Sequence, residues 1–417
     1  MSTLTPSQIQ TIKSTAPLLR THGHQITTSF YSTLLTAHPN LNSTFNRANQ
    51  SNNHQATALA TALYAYATHI DDLGALSPAV EKICHKHASL YIRPEQYAVV
   101  GEYLLRAMGE VLGEGMTEEV RGAWEAAYWQ LARILIGREE ELYASAEEWR
   151  DWRDFRIVGK ERESSVITSF YLEPVDGETL PGFLPGQYIS VRTHVERLGY
   201  AQPRQYSLSD APNGRYYRIS VKKEEGLDPE EPQNVKHPGY VSNILHDERE
   251  VGGVLQVSHP YGEFFLDPEK AQDKPVVLLS AGVGLTPMVS MVNTLAARGA
   301  EQPISFVHGS RSSATRAFHP HLTNLASRCD NMRYTTFVKE PGLVVDGEST
   351  ECTFKDRLDL RKLDKSSDLF LDNNATQYFV CGPESFMTNV EVGLLDLGVE
   401  RDRVHLEVFG TGMPVSA

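Results

Sequence analysis

Three rhythms of apolar residues succeed one another along this chain, and they restrict its architecture more than any other feature. Up to about Tyr143, apolar residues return at intervals of three and four, as on the buried face of a helix. Ser7 is placed to cap the first helix, which carries Ile9, Ile12, Leu18 and Leu19. Ile26 to Leu35, Ala56 to Ile70, Ala79 to Leu90, Gln96 to Leu112 and Val120 to Tyr143 follow. Six or seven helices with short connections predict an all-α globule. From Trp149 to about Leu266 the runs shorten to strand length: Ser165 to Tyr171, Gln187 to Val191, Tyr217 to Lys222 and Val254 to Val257. Turn residues between them predict a small antiparallel β-barrel or sandwich. From Lys274, the strand-like runs Pro275–Ser280, Ile304–Val307 and Gln377–Val380 alternate with helical ones, Met288–Ala297 and Ser385–Leu397. That alternation predicts an α/β unit with a parallel sheet. The expected division is therefore 1–148, 149–267 and 268–417. Gly226 to Pro238, with three prolines and several charges, reads as a surface loop.

Composition narrows the class. A chain of 417 residues suits two to four domains, and 41% apolar with 22% charged residues describes a folded globular protein. A formal charge of −14 opposes nucleic acid and anionic membrane as partners. The four cysteines, Cys84, Cys329, Cys352 and Cys381, form no short-spaced pair. That excludes a CxxC zinc or redox motif and offers no disulfide framework. No apolar run approaches the roughly 18 residues of a membrane helix, so no integral membrane segment is expected. The start of the chain lacks an apolar signal core, and the expected location is cytoplasmic.

Four short motifs carry chemistry. Arg204-Gln205-Tyr206-Ser207-Leu208-Ser209 follows an extended, Pro-Gly-punctuated stretch, Leu184 to Val191, that contains Tyr188. There an Arg can fork onto a phosphate, a Tyr ring can stack on a flat ring system, and a Ser can reach a ring heteroatom or ribitol hydroxyl. That set suits a flavin dinucleotide. Gly282-Val283-Gly284-Leu285-Thr286-Pro287 leaves a buried strand and enters a helix, where glycines and free helix N–H groups admit a phosphate-bearing ligand. The pattern is GxGxTP rather than GxGxxG, and a plain tight turn would also use glycine. Val380-Cys381-Gly382-Pro383 also runs from strand to helix, about a hundred residues on. Two such strand ends fit a ligand at a topological switch point. Glu407-Val408-Phe409-Gly410-Thr411 closes the series with an aromatic able to cover a flavin face. In order and spacing these elements resemble the ferredoxin-reductase-like oxidoreductases. The resemblance implies FAD on Tyr188, Arg204 to Ser207, Gly239, Ser242 and Val408 to Thr411. It implies NADPH or NADH on Gly282 to Pro287 and Cys381 to Pro383. Ser310-Arg311 leans toward NADPH, since Arg suits a 2′-phosphate.

Of the fifteen histidines, His85 and His87 stand two apart on one helix and point to different faces. The run Val80-Glu-Lys-Ile-Cys-His-Lys-His87-Ala-Ser-Leu-Tyr-Ile-Arg-Pro-Glu-Gln-Tyr97 resembles the proximal segment of the flavohaemoglobins. The resemblance implies that His87 binds the iron of haem b and that His85 lies on the surface. It also implies Phe45 packed on the haem, and Tyr31 with Gln55, rather than His54, on the distal side. Tyr97 and Glu139 match the family's hydrogen-bonding network to the proximal His, a lever that gives the ring imidazolate character. Lys86 and Glu407 match positions that tune the two redox centres, a solvated pair being the plainer reading.

The resemblance covers about residues 5 to 412 and implies an all-α globin, then the FAD barrel, then the NAD(P) domain. The activity it implies is nitric oxide dioxygenation, with electrons passing from NAD(P)H through FAD to haem and with O2 and NO as small-molecule partners. A monomer is expected, with a homodimer as the alternative. Three other readings stay open at this point: an oxygen-binding or sensing globin, a flavin reductase that works without haem, and the same cofactors acting on peroxide or nitrite.

Overall fold

Thr5 starts the first helix with a capping box. Its hydroxyl accepts from the Gln8 N–H at 3.2 Å, and its own N–H donates to Gln8 Oε1 at 2.9 Å. The expected cap, Ser7, therefore lies inside the first turn. The two expected apolar stretches before His38 form one helix, α1 (Pro6–Ala37). Their rhythm breaks between Arg20 and Gln25 because the buried position there is Gly23, pressed against Ala60 rather than filled by a large side chain. The computed structural model describes residues 4–45, 54–224, 239–340, 342 and 353–410. The proline-rich loop, Cys352 and Thr411 lie outside them.

The α-helices α2 (His54–Thr68), α3 (Ser77–Ser89), α4 (Pro94–Leu112) and α5 (Glu118–Ser145) complete the N-terminal globule. Ile12, Leu19, Ile26, Phe30, Leu34, Tyr66, Met108 and Trp124 form its core. Proline opens α1 and α4 where the first N–H groups have no intrahelical partner.

Six antiparallel strands follow: β1 (Arg153–Arg162), β2 (Ile167–Pro174), β3 (Tyr188–Val195), β4 (Tyr200–Ser207), β5 (Tyr217–Lys222) and β6 (Val254–Val257). Their order is β4-β3-β6-β1-β2-β5, and a bridge between Leu208 and Ile219 brings the two ends together. Phe155, Phe170, Ile189, Val191, Ile219 and Val257 fill the interior. The short helix α6 (Tyr240–Asp247) adds Val241 and Leu245 to it. Gly239 and Ser242, expected at the FAD site, lie at the N-cap and in the first turn of this helix.

The last unit is a parallel sheet of β7 (Val276–Ala281), β8 (Ile304–Ser312), β9 (Met332–Glu340), β10 (Gln377–Cys381) and β11 (Val404–Glu407), ordered β11-β10-β7-β8-β9. Leu278 and Phe306 pack with α7 (Leu285–Ala297) and α8 (His319–Arg328) on one face. Val277, Leu279 and Val307 pack with α9 (Glu384–Asp396) on the other. Burial on both faces is why these strands read as unbroken apolar runs. Strand order reverses at β7, between β8 and β10, which opens a crevice at the strands' carboxyl ends. Among the described residues no helix is long and apolar enough to cross a membrane.

Candidate functional site

His87 sits in the last turn of α3, and α5 brings Glu139 to it from 52 residues away. His87 Nδ1 lies 2.8 Å from Glu139 Oε1 and 3.0 Å from the Tyr97 hydroxyl, which donates to the same carboxylate oxygen at 2.5 Å. Glu139 and Tyr97 are buried. Burial, followed by the charge of Glu139, raises the Tyr97 pKa far above its usual range, so the phenol remains a donor. With Nδ1 engaged, Nε2 is the ring nitrogen left for a metal. The Tyr128 hydroxyl holds the backbone carbonyl of Tyr97 at 2.5 Å and fixes the start of α4.

Tyr31 stands on α1 with ring centroids 4.9 Å from Phe30 and 5.5 Å from Phe45, both edge-on. Burial raises its hydroxyl pKa, opposed by the Gln55 side chain. Gln55 Oε1 is buried without a hydrogen-bond partner. The three distal residues are thus together, and an amide oxygen that is buried and unpaired fits a pocket made for a ligand. The His54 side chain lies outside the described residues.

His85 is not a surface residue. It is 8% exposed, and its Nδ1 accepts the Gly262 N–H at 3.0 Å while Nε2 meets Glu81 at 3.2 Å. The antiparallel unit covers the face of α3 that an isolated globule would leave wet. Ser89, on the same helix, accepts from Ser190 Oγ at 3.0 Å and from Gln205 Nε2 at 3.3 Å. Gln202 Nε2 reaches the carbonyls of Asn42 (2.8 Å) and Phe45 (3.1 Å). Lys86 and Glu407 act on each other's charge without a direct ion pair among the described residues. Burial lowers the Lys86 pKa and raises that of Glu407 to about 8, and Lys82 and Glu263 act on Glu407 as well. Lys86 and Glu407 are both half-buried. Lys82 and Glu263 were missed; for Lys82 the signal was its i,i+4 spacing to Lys86 on one helix face.

On β4, Arg204 Nη1 donates to the Pro203 carbonyl at 2.6 Å, while Nη2 is buried with no partner. Burial pulls its pKa down. A buried guanidinium with a free donor fits a phosphate. Tyr206 neighbours it, and Tyr188 on β3 pairs with Ser207 across the ladder. Burial holds both phenols protonated. The Ser242 hydroxyl is engaged within its own turn, donating to Gly239 O at 2.9 Å. Val408 is half-buried, and Phe409 (45% exposed) and Gly410 are exposed.

At the carboxyl end of β7, Gly282 adopts φ +56° and α7 begins at Leu285. Thr286 Oγ1 donates to Val283 O at 3.1 Å, and Pro287 follows. A Cβ on Gly284 would stand 2.2 Å from the Cys381 carbonyl oxygen. The two strand-end motifs therefore touch backbone to backbone, with Gly382 and Pro383 leading into α9. Gly282, Val283, Ser310, Arg311, Arg357 and Pro383 are among the residues lining a cleft of about 1570 Å³ there.

Known proteins share this arrangement. The globin family model matches residues 28–135, and the oxidoreductase NAD-binding domain model matches residues 278–391. A flavohemoprotein of Bordetella parapertussis is 46% identical over 414 residues, 98% of this chain and 99% of its own. The crystal structure of a flavohemoglobin from Malassezia yamatoensis, with bound FAD and heme, covers 98% of this chain and 100% of its own, with a TM-score of 0.83 at 28% identity. The flavohem-like FAD/NAD-binding domain of nitric oxide dioxygenase from Vibrio cholerae O1 biovar El Tor is 34% identical, with a TM-score of 0.53, over 63% of this chain and 100% of its own. With a relative of this identity along nearly its whole length, the chain belongs to the flavohaemoglobin family, in which a globin is joined through an antiparallel sheet to a parallel NAD-binding sheet.

Proposed function

We propose that this protein oxidises nitric oxide with dioxygen to nitrate, using electrons from NADPH or NADH. Residues 1–148 hold haem b, 149–267 hold FAD and 268–417 hold the nicotinamide nucleotide. The observation that carries this reading is the buried Glu139 carboxylate 2.8 Å from His87 Nδ1. When bound, FAD supplies the step from hydride to single electrons and haem supplies the oxygen-binding iron.

The chain's own residues do the rest. His87 offers Nε2 to the iron. Glu139 takes the Nδ1 proton into a charged hydrogen bond, fixes the ring plane and lends it anionic character, a setting for oxygen activation rather than storage. Tyr97 holds Glu139 in place through its own donated bond. On the other side, Tyr31 keeps its proton because it is buried, and donates it toward the space where oxygen and nitric oxide meet. Arg204 takes the flavin phosphate, Tyr188 and Tyr206 flank the ring, and Phe409 covers it from the chain's end. Gly282 to Pro287 and Cys381 to Pro383 take the nucleotide at the switch point.

Absorption spectra of haem-supplied protein test the reading, with NADPH and then NADH added in air and nitric oxide given in pulses. The expected result is a Soret band that changes on nucleotide addition and returns to the ferric form with each pulse, one nitrate appearing per nitric oxide. A protein without a Soret band, or one that consumes nitric oxide without nitrate, overturns it.

A further inference from the structure

Asp210 directly follows the Arg204–Ser209 run, and its carboxylate is engaged on every side. Oδ1 accepts the Ala211 N–H at 2.9 Å and Asn293 Nδ2 at 2.8 Å. Oδ2 accepts the Tyr216 hydroxyl at 3.0 Å and lies 3.6 Å from Arg218 Nη1. The Asp210 backbone carbonyl accepts Ser290 Oγ at 2.8 Å. Ser290 and Asn293 stand one turn apart on α7, the helix that the Gly282–Pro287 motif opens. One side-chain bond and one backbone bond therefore cross from the end of the flavin motif to the nicotinamide helix.

The partners are themselves held. Asn293 Oδ1 is 2.8 Å from His321 Nε2 on α8, so the imidazole N–H donates there and the amide nitrogen must face Asp210. Arg218, 8% exposed, donates to the carbonyl of Ser209 and to its hydroxyl, and lies over the Phe318 ring at 5.0 Å. A backbone bond from the Ser165 N–H to the Ala314 carbonyl (2.8 Å) and apolar contact complete this face, where Ile167, Phe264 and Leu266 share one cluster with Met288 and Met291. Apolar contact is non-directional and lets two faces slide. Directed hydrogen bonds set their register.

We propose that Asp210, with Asn293, is a positioning pair that fixes the flavin strand against the nicotinamide helix at the distance hydride transfer requires. The inference rests on the nucleotide-to-flavin step of the proposed function. Reacting atoms must come to about 3–3.5 Å, and a misplacement of about 1 Å can cost about 10²-fold in rate.

The test uses full-length protein loaded with haem and FAD. Flavin bleaching by NADPH, and separately by NADH, is followed anaerobically by stopped flow, and NADP⁺ or NAD⁺ affinity is titrated in parallel. Asn293→Ala is expected to lower the limiting bleaching rate about tenfold or more, while affinity changes by less than about threefold. Asn293→Asp sets a second carboxylate against Asp210 and is expected to be slower still. The double variant Asp210→Asn/Asn293→Asp removes the second charge and again faces a donor with an acceptor, although the amide nitrogen then loses the Ala211 N–H, and it should be faster than Asn293→Asp. Single variants that bleach at the wild-type rate, or a double variant no faster than Asn293→Asp, overturn the inference alone. A wild type whose flavin neither nucleotide bleaches overturns the proposed function, and this inference with it.

Discussion

Glu139→Gln isolates the charge behind His87 with little change of shape. The amide oxygen can still accept from His87 Nδ1 and from Tyr97, which now approach the carboxylate at 2.8 and 2.5 Å. What disappears is the negative charge. A hydrogen bond to a charged group is worth about 1.5–3 kcal/mol and a neutral one about 0.5–1.5, so each bond loses about 1–1.5 kcal/mol. In the proposed haem site a negative charge behind His87 favours the more positively charged ferric state over the ferrous one. The loss therefore falls on the oxidised state and raises the haem midpoint potential. At 59 mV per 1.4 kcal/mol for one electron, the rise is about 40–60 mV. Tyr97→Phe works in the opposite sense. It removes one of the two donors on the carboxylate, leaves more charge for His87, and should lower the midpoint. Spectroelectrochemical titration of the Soret band measures both. A Glu139→Gln midpoint within about 15 mV of wild type, or shifts of the same sign in the two variants, would refute the idea that this carboxylate acts on the iron through His87.

Tyr31→Phe removes a donor worth about 1.5–3 kcal/mol toward a charged acceptor, so oxygen should dissociate about tenfold faster or more; laser photolysis or stopped flow with an unchanged rate would sink the distal assignment. Gly284→Ala puts a Cβ 2.2 Å from a backbone carbonyl that cannot yield, and urea unfolding should show a loss of about 1–3 kcal/mol together with slower flavin bleaching. An unchanged unfolding midpoint would mean that the two strand ends lie farther apart than described. His308 is fully buried, with Nδ1 2.9 Å from Ser280 Oγ, and burial pulls its pKa down to about 3. Below about 6.5 the unfolded chain binds this proton and the folded one does not, so stability is full above pH 6.5 and falls as pH drops toward 3, by about 1.4 kcal/mol per unit. His308→Gln should be less steeply acid-sensitive than wild type, and equal slopes in urea titrations from pH 7 to 5 would contradict the assignment.

What the sequence disclosed follows from how close in the chain the interacting groups stand. Helix α4, β7 and the Arg204–Ser209 and Gly282–Pro287 motifs each carry their signal in consecutive residues, and they were legible. So was the nearness of His87 to Tyr97, because Val80 to Tyr97 is one unbroken run. Helix α1 was read as two pieces because its closest approach to α2 uses Gly23, which leaves no apolar mark. Strand β9 escaped because two of the four residues of its buried middle, Thr335 to Val338, are threonines, and β11 because it is a half-buried edge. His85 was misplaced for a different reason. Its acceptor role depends on Gly262, 177 residues away in another unit. Nothing local distinguishes such a histidine from a solvated one.

The same separation explains where the coupling between the units lies. Within each unit the apolar core is large and its pattern repeats, so many residues carry the information and no single one is decisive. Between units the directed contacts that single polar side chains make include four links: His85 to Gly262, Ser89 to Ser190 and Gln205, Gln202 to Asn42 and Phe45, and Asp210 to Asn293. Three of these four links touch α3, β4 or the loop before α2, elements that also carry the candidate haem and flavin residues. An electron path built on such links is sensitive to single substitutions that leave every core intact. Variants at Ser89 or Asn293 should therefore lose transfer rates before they lose folded protein, whereas variants at Phe30 or Phe306 should lose both together.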